Sequence, residues 1–297
     1  FASGALVFSL GINDGLRVQC ECAECRKAGW PESYYRFVSR VADAVKDQYP
    51  PRMIGVLVYG DVRHPRQPLR LPENVYCNVT TGSKISEWSK RASHLGSYGY
   101  FYGSGFLVPN FPLKAMVWNA GQYARHGVLG FYAETYPVWA FDAPKVYIQS
   151  RLFWDPKMDV EAALDRFCAA AYGPGGPAMA RFYRLWASQA DRLVDPGGDD
   201  PAPLCNMSKW RNSSVQCKAV APETMQAAAA LLDEAAGAVR ADLHVKRVDM
   251  VKTHFGLSQA LYNLNFIVQD TFEAQPRKDL ASVFAALRRE TEIRRQM

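Results

Sequence analysis

The chain has 297 residues, 48% hydrophobic and 22% charged, with a formal net charge of +6. This is ordinary globular composition, enough for one large domain or two of usual size. Lys and Arg are spread along the chain, apart from Arg288-Arg289 and Arg294-Arg295, so a nucleic-acid footprint is not expected; no run of eighteen apolar residues offers a membrane span.

The chain opens at Phe1 and runs into the apolar stretch Ala5-Leu6-Val7-Phe8, without the basic region that starts a signal peptide. It reads as a cut made just before a buried strand. Short apolar, β-branched or aromatic runs then alternate with helical patterns. The predicted strands are Ala5 to Ile12, Met53 to Gly60, Asn74 to Thr81, Leu95 to Gly103 and Val128 to Glu134. Between them lie predicted helices over Ser33 to Tyr49, Ile85 to Ala92 and Phe111 to His126. Pro50-Pro51 stops the first and Gly127 the last.

Strand–helix alternation implies parallel strands with crossover helices. A doubly wound sheet and a barrel both satisfy it. Gly11-Ile-Asn-Asp-Gly15 lacks the spacing of a phosphate-binding turn. Polar residues collect instead at several strand ends, which is the habit of a barrel, where every βα loop faces one mouth. The expected class is therefore α/β, the C-terminal part of a (β/α)8 barrel. About five strands are visible against the eight a closed barrel needs, and the others are expected upstream of Phe1. After Trp154-Asp155-Pro156 the strands stop. Helical patterns cover Val160 to Tyr172, Pro177 to Val194, Thr224 to Asp242, Lys246 to Asp270 and Lys278 to Gln296, with a Gly/Pro/Asp-rich loop at 195–203. The expected division is a partial barrel over 1–156 and an α-helical domain over 157–297.

Two carboxylates stand where barrel enzymes work. Asp14, in Asn13-Asp14-Gly15, ends the first strand, and Glu134 ends the fifth within Phe131-Tyr-Ala-Glu-Thr-Tyr-Pro137. A carboxylate at a barrel mouth suits general acid–base chemistry, and a pair flanking one bond suits glycoside hydrolysis. Asn-Asp-Gly also reads as a turn or helix cap, and Glu134 also suits a structural ion pair. Tyr59, Asp61, Tyr100, Tyr102, Tyr136 and Trp139 sit near the same ends and are candidate sugar contacts. The plain alternative is that such aromatics fill core.

The remaining feature is Cys20-Glu-Cys22-Ala-Glu-Cys25. Three thiols at this spacing can face one ion, a structural zinc needing one more ligand, with His64 and Cys77 as conceivable completions. Free thiols, a disulfide or a redox role suit the pattern too. Cys77 and Cys168 read as small buried hydrophobes, and Cys205 with Cys217 suits a loop disulfide in an oxidising compartment. Asn-x-Ser/Thr sequons stand at Asn78, Asn206 and Asn212.

Asn13-Asp14-Gly15 followed by Cys20-x-Cys22-x-x-Cys25 and Tyr34-Tyr-Arg-Phe-Val38 resembles the bacterial family called domain of unknown function 4838. So do Gly130-Phe-Tyr-Ala-Glu134-Thr-Tyr-Pro137-Val-Trp139, Lys145-x-Tyr147 and Leu152-Phe-Trp-Asp-Pro156. The likeness spans about residues 3 to 190. It implies a glycoside-hydrolase-type barrel, distantly similar to α-glucuronidases and β-hexosaminidases, with a helical domain behind it. By that analogy Asn13 and Asp14 occupy the acidic pair closing the fourth barrel strand. Asp14 is then the proton donor, Asn13 a substrate-orienting amide, and Glu134, at the eighth strand, a base, nucleophile or sugar-hydroxyl binder. The pair is more usually two acids in the family, and Asn13 cannot ionise. Together these readings point to a secreted or periplasmic glycoside hydrolase with a carbohydrate substrate, no required cofactor, no nucleic-acid partner and no membrane segment. A non-catalytic carbohydrate-binding barrel and a structural module around a Cys-bound metal are the alternatives.

Overall fold

The protein is described by a computed structural model over residues 6–12, 20–66, 68–80, 83–100, 106, 108–135, 138–193, 216–217 and 220–274. Five strands, β1 (Val7–Ser9), β2 (Met53–Val58), β3 (Val75–Thr80), β4 (His94–Tyr100) and β5 (Val128–Glu134), form one sheet. Every pair is parallel and the strands lie side by side in chain order. A doubly wound sheet reverses its strand order part-way, whereas sequential order lets each crossover repeat and keeps the helices on one face. The sheet is a half-barrel, as its sequence predicts.

Alternation along the strands separates two faces. Ile54, Val56 and Val58 of β2 and Val75, Cys77 and Val79 of β3 are buried against helix α2 (Trp30–Lys46) and the short α3 (Ile85–Trp88). From α2 come Tyr34, Tyr35, Val38 and Ala42, and from α3 Ile85 and Trp88. The two tyrosines also tie loops down: Tyr34 donates to the Leu10 carbonyl beyond β1, at 2.7 Å, and Tyr35 to that of Val62, at 3.0 Å. The strand residues between these, among them Tyr76 and Asn78, face away from the helices. Asn78 is thus half-buried in mid-strand, with its side chain over Gly96, an unsuitable glycan acceptor.

A second buried cluster holds the helices together. It draws on α4 (Leu113–Arg125), α5 (Trp139–Trp154), α6 (Val160–Tyr172), α7 (Gly176–Leu193), α8 (Pro222–Ala238) and α9 (Asp242–Ala274). Its largest fully buried side chains include Phe111, Phe182, Tyr183 and Trp186. So α4, between β4 and β5 in the chain, and α5, directly after β5, bury their apolar faces with the later helices. Gly173 closes α6 at φ +53°, and a Cβ there would run into the His244 ring, so both conformation and space call for glycine.

Helix α5 is absent from the sequence reading, as is the short α1 (Ala23–Ala28). Pro144 stands inside α5, and buried residues surround the helix, so the sequence shows no clear 3.6-residue stripe. Pro144 cannot donate to the Ala140 carbonyl four residues back. Tyr183 replaces that donor from α7, at 2.9 Å, and is itself joined to the Tyr172 hydroxyl at 2.8 Å. Pro222 starts α8 two residues earlier than expected, and residues 239–241 break the chain before α9. The predicted loop at 195–203 and the helix at 278–296 lie outside the described residues. Among those described, no helix is long and apolar enough to cross a membrane.

Burial leaves a pH signature. It pushes the Cys77 and Cys168 thiols up from 9.0 to about 12 and the Tyr172 hydroxyl up from 10.0 to about 12. The hydroxyls of Tyr34, Tyr35 and Tyr183 are raised for the same reason. A group whose folded pKa is raised stabilises the fold below its unfolded pKa and stops doing so as pH climbs through the folded one. Thermal midpoints should therefore hold steady up to about pH 9 and fall progressively from there to about pH 12. Melts followed by circular dichroism across that range check it; a midpoint that rises with pH there contradicts the assignment.

Candidate active site

The register of β4 and β5 sets the site. Tyr98 pairs with Tyr132 and Tyr100 with Glu134, while Gly96 pairs with Gly130 one layer below. Asn78 of β3 pairs with Gly96, so all of these share the face turned away from the helices. That face is the barrel interior, and Tyr100 and Glu134 stand at its C-terminal end, where barrel enzymes place their chemistry. Gly96 is needed there: a Cβ on it would run into the Tyr76 hydroxyl and the Asn78 amide oxygen.

Glu134 is held by Tyr98. The Tyr98 hydroxyl donates to Glu134 Oε1 at 2.5 Å, a short charge-assisted bond. The Tyr98 ring stacks obliquely on Tyr132, with centroids 4.8 Å apart, and meets Tyr100 edge-on at 5.5 Å. Burial, followed by the bond to Glu134 and its charge, keeps the Tyr98 hydroxyl well above the usual tyrosine range. Tyr98 is therefore a proton-bearing donor at neutral pH and Glu134 its acceptor. Tyr132 is 57% exposed, so this cluster offers an open aromatic face beside a carboxylate.

Of the residues singled out in the sequence, Tyr100 and Glu134 come together here. Tyr98 and Tyr132 were missed, although both lie two residues from a chosen one, the spacing at which strand residues share a face. Trp139, 57% exposed, opens α5 just past the end of β5. Tyr59 follows β2 in extended conformation, and Asp61 is exposed in the 3-10 turn Gly60–Val62. Two strand spacings separate β2 from β4, about 10 Å. Asn13, Asp14, Tyr102 and Tyr136 lie outside the described residues. The strand that leads to Asp14 and the strand that ends in Glu134 are the outermost two of the sheet, with three strands between them.

The thiols of Cys20, Cys22 and Cys25 gather at the start of α1, their sulfurs all within 4.8 Å of one another. Cys22 caps the helix, its Sγ accepting the Cys25 backbone N–H at 3.4 Å. That bond, followed by those from the Cys20 and Cys25 side chains, lowers the Cys22 thiol pKa. Among the described residues no other His, Cys, Asp or Glu joins the group, so neither of the two conceivable completions, His64 and Cys77, does. Cys77 is buried on the helix-covered face of β3, and strand alternation is the reason: its neighbours Tyr76 and Asn78 take the other face. Cys168 is buried as expected; Cys205 lies outside the described residues.

The model of the family described as Domain of unknown function (DUF4838) matches residues 2–184. The chain belongs to this family. No curated protein matches it. The matched stretch of this DUF4838 chain runs from β1 into α7 and so contains the whole sheet, the thiol cluster and Glu134.

It also contains the polar anchor of the β5–α5 turn. Asp142 and Lys145 are buried on α5, with Lys145 Nζ 2.6 Å from Asp142 Oδ1, an ion pair rather than a directed hydrogen bond. Asp142 Oδ2 accepts the backbone N–H of Val138 at 2.8 Å, four residues beyond Glu134. Further along, Phe153 stacks on Phe131 of β5, centroids 4.0 Å apart, so α5 is pinned to the strand that carries the carboxylate.

Proposed function

We propose that this DUF4838 protein is a glycoside hydrolase in which Glu134 acts as a carboxylate at a sugar-binding barrel mouth. The observation that carries the reading is the Tyr98–Glu134 bond within a cluster of tyrosines on the inner face. An acceptor that already takes a proton-bearing donor is suited to work as base, nucleophile or sugar-hydroxyl binder rather than as proton donor. Tyr100, Tyr132 and Trp139 supply ring faces and hydroxyls for a sugar, with Tyr59, Asp61, Tyr102, Tyr136 and Asn13 as further contacts. Asp14 is the partner acid. The substrate class is a poly- or oligosaccharide, including those with uronic or N-acetylated sugars, met outside the cytoplasm by a secreted or periplasmic protein.

This chemistry calls for no cofactor, and an ion on the three thiolates would serve structure rather than turnover. The 57% exposure of Tyr132 equally suits a barrel that grips sugar without cleaving it, and one experiment separates the two readings. Full-length protein and its Asp14→Asn variant are given a panel of aryl glycosides and natural oligosaccharides, with product release and binding measured side by side. Hydrolysis by the parent, lost in the variant while binding persists, is the expected result. Binding without product release by the parent selects the non-catalytic barrel, and undiminished hydrolysis by Asp14→Asn removes Asp14 from the mechanism.

A further inference from the structure

We propose that Cys20, Cys22 and Cys25 bind one zinc ion through three thiolates and leave its fourth position open to solvent at the rim of the barrel mouth. The three sulfurs lie within 4.8 Å of one another. A tetrahedral ion with Zn–S bonds of about 2.3 Å needs them roughly 3.8 Å apart, within reach of small side-chain rotations. The backbone is already arranged for it. The Cys25 N–H points at Cys22 Sγ, and Ser33 braces the corner between α1 and α2 by donating to the Cys25 and Gly29 carbonyls, at 3.3 and 2.7 Å. Three soft donors favour zinc over calcium or magnesium, which take oxygen ligands.

The fourth position is open for a geometric reason. Cys20 and Cys22 are exposed, and no fourth ligand atom from a His, Cys, Asp or Glu reaches the group among the described residues. Beside the cluster lies a groove of about 550 Å³ whose wall includes Cys20, Glu21, Cys25, Arg26, Trp30 and Ser33. Through it a water, or a small thiol or imidazole in its place, has access to the ion. Zinc on three thiolates carries a net negative charge; the groove wall adds one carboxylate, Glu21, and one cation, Arg26, which balance each other. The segment lies between β1 and α2, on the side where strand-to-helix connections surround the mouth. The ion would thus clip the start of α1 to the connection leading out of β1.

Full-length protein purified without chelators should carry close to one zinc per chain by mass spectrometry, and Cys22→Ser and Cys25→Ser should each lose most of it. Should either variant fail to fold, thiol titration of the parent answers instead: alkylation of these three cysteines should be slow until zinc is removed, and zinc release should track it. Cobalt-substituted protein should show the strong visible bands of a tetrahedral thiolate site, and these should shift on adding imidazole or 2-mercaptoethanol. Metal-free protein whose mass reveals a disulfide among the three cysteines overturns the zinc site. Cobalt bands unmoved by added ligand overturn the open position, since a protein group then fills it.

Discussion

Glu134→Gln in the full-length protein is expected to lower kcat/KM on any cleaved glycoside by about 10²- to 10⁴-fold, the usual contribution of acid–base catalysis. The substitution preserves shape and keeps a side-chain oxygen to accept from the Tyr98 hydroxyl, so the folding midpoint should barely move. What it removes is the charge. Tyr98→Phe keeps the ring that stacks on Tyr132 and removes only the donor. A hydrogen bond to a charged group is worth about 1.5–3 kcal/mol when buried, and this one is partly open to water. Its loss should therefore cost about tenfold in kcat/KM, close to 1.4 kcal/mol. The ordering is the informative part: a large effect at Glu134 with the unfolding midpoint barely moved, and a smaller one at Tyr98 with the midpoint lowered by about 2–4 °C. Full turnover by Glu134→Gln would sink the assignment.

Lys145→Met is expected to destabilise the fold by about 3–5 kcal/mol, because it leaves the Asp142 carboxylate buried without its cation. Both side chains are almost wholly inaccessible, 4% and 1% exposed, so water cannot replace the lost partner. Asp142→Leu should cost as much, since it strands the Lys145 ammonium and frees the Val138 N–H as well. The double variant Asp142→Leu/Lys145→Met should recover most of the loss, because burying the pair costs about as much desolvation as its attraction returns. Urea unfolding of the four proteins closes the cycle. A Lys145→Met protein within about 1 kcal/mol of the parent would show that the pair is hydrated in solution. Asp142 also holds the turn four residues beyond Glu134, so the single variants should loosen the site even where the core survives.

Much of the fold was legible because it rests on local rules. Short apolar, β-branched or aromatic runs mark each strand, Gly127 stops α4, and Gly173 ends α6. Helix α5 was not legible, because Pro144 argues against a helix and its support comes from Tyr183, 43 residues away in the chain. The site divides the same way. Glu134 stood out as an acid closing an apolar strand. Tyr98 did not, since nothing near it in the chain says that its hydroxyl meets a carboxylate 36 residues on.

By itself the sequence determined the order of elements, the parallel sheet implied by their alternation, the clustering of three thiols at short spacing, and the carboxylate at the end of β5. Only the tertiary structure decided which side chains meet: Tyr98 with Glu134, and Tyr183 with the carbonyl orphaned by Pro144. The reason is that local patterns fix periodicity and chain reversal within a few residues, whereas register between strands and packing between helices are set by contacts distant in the chain.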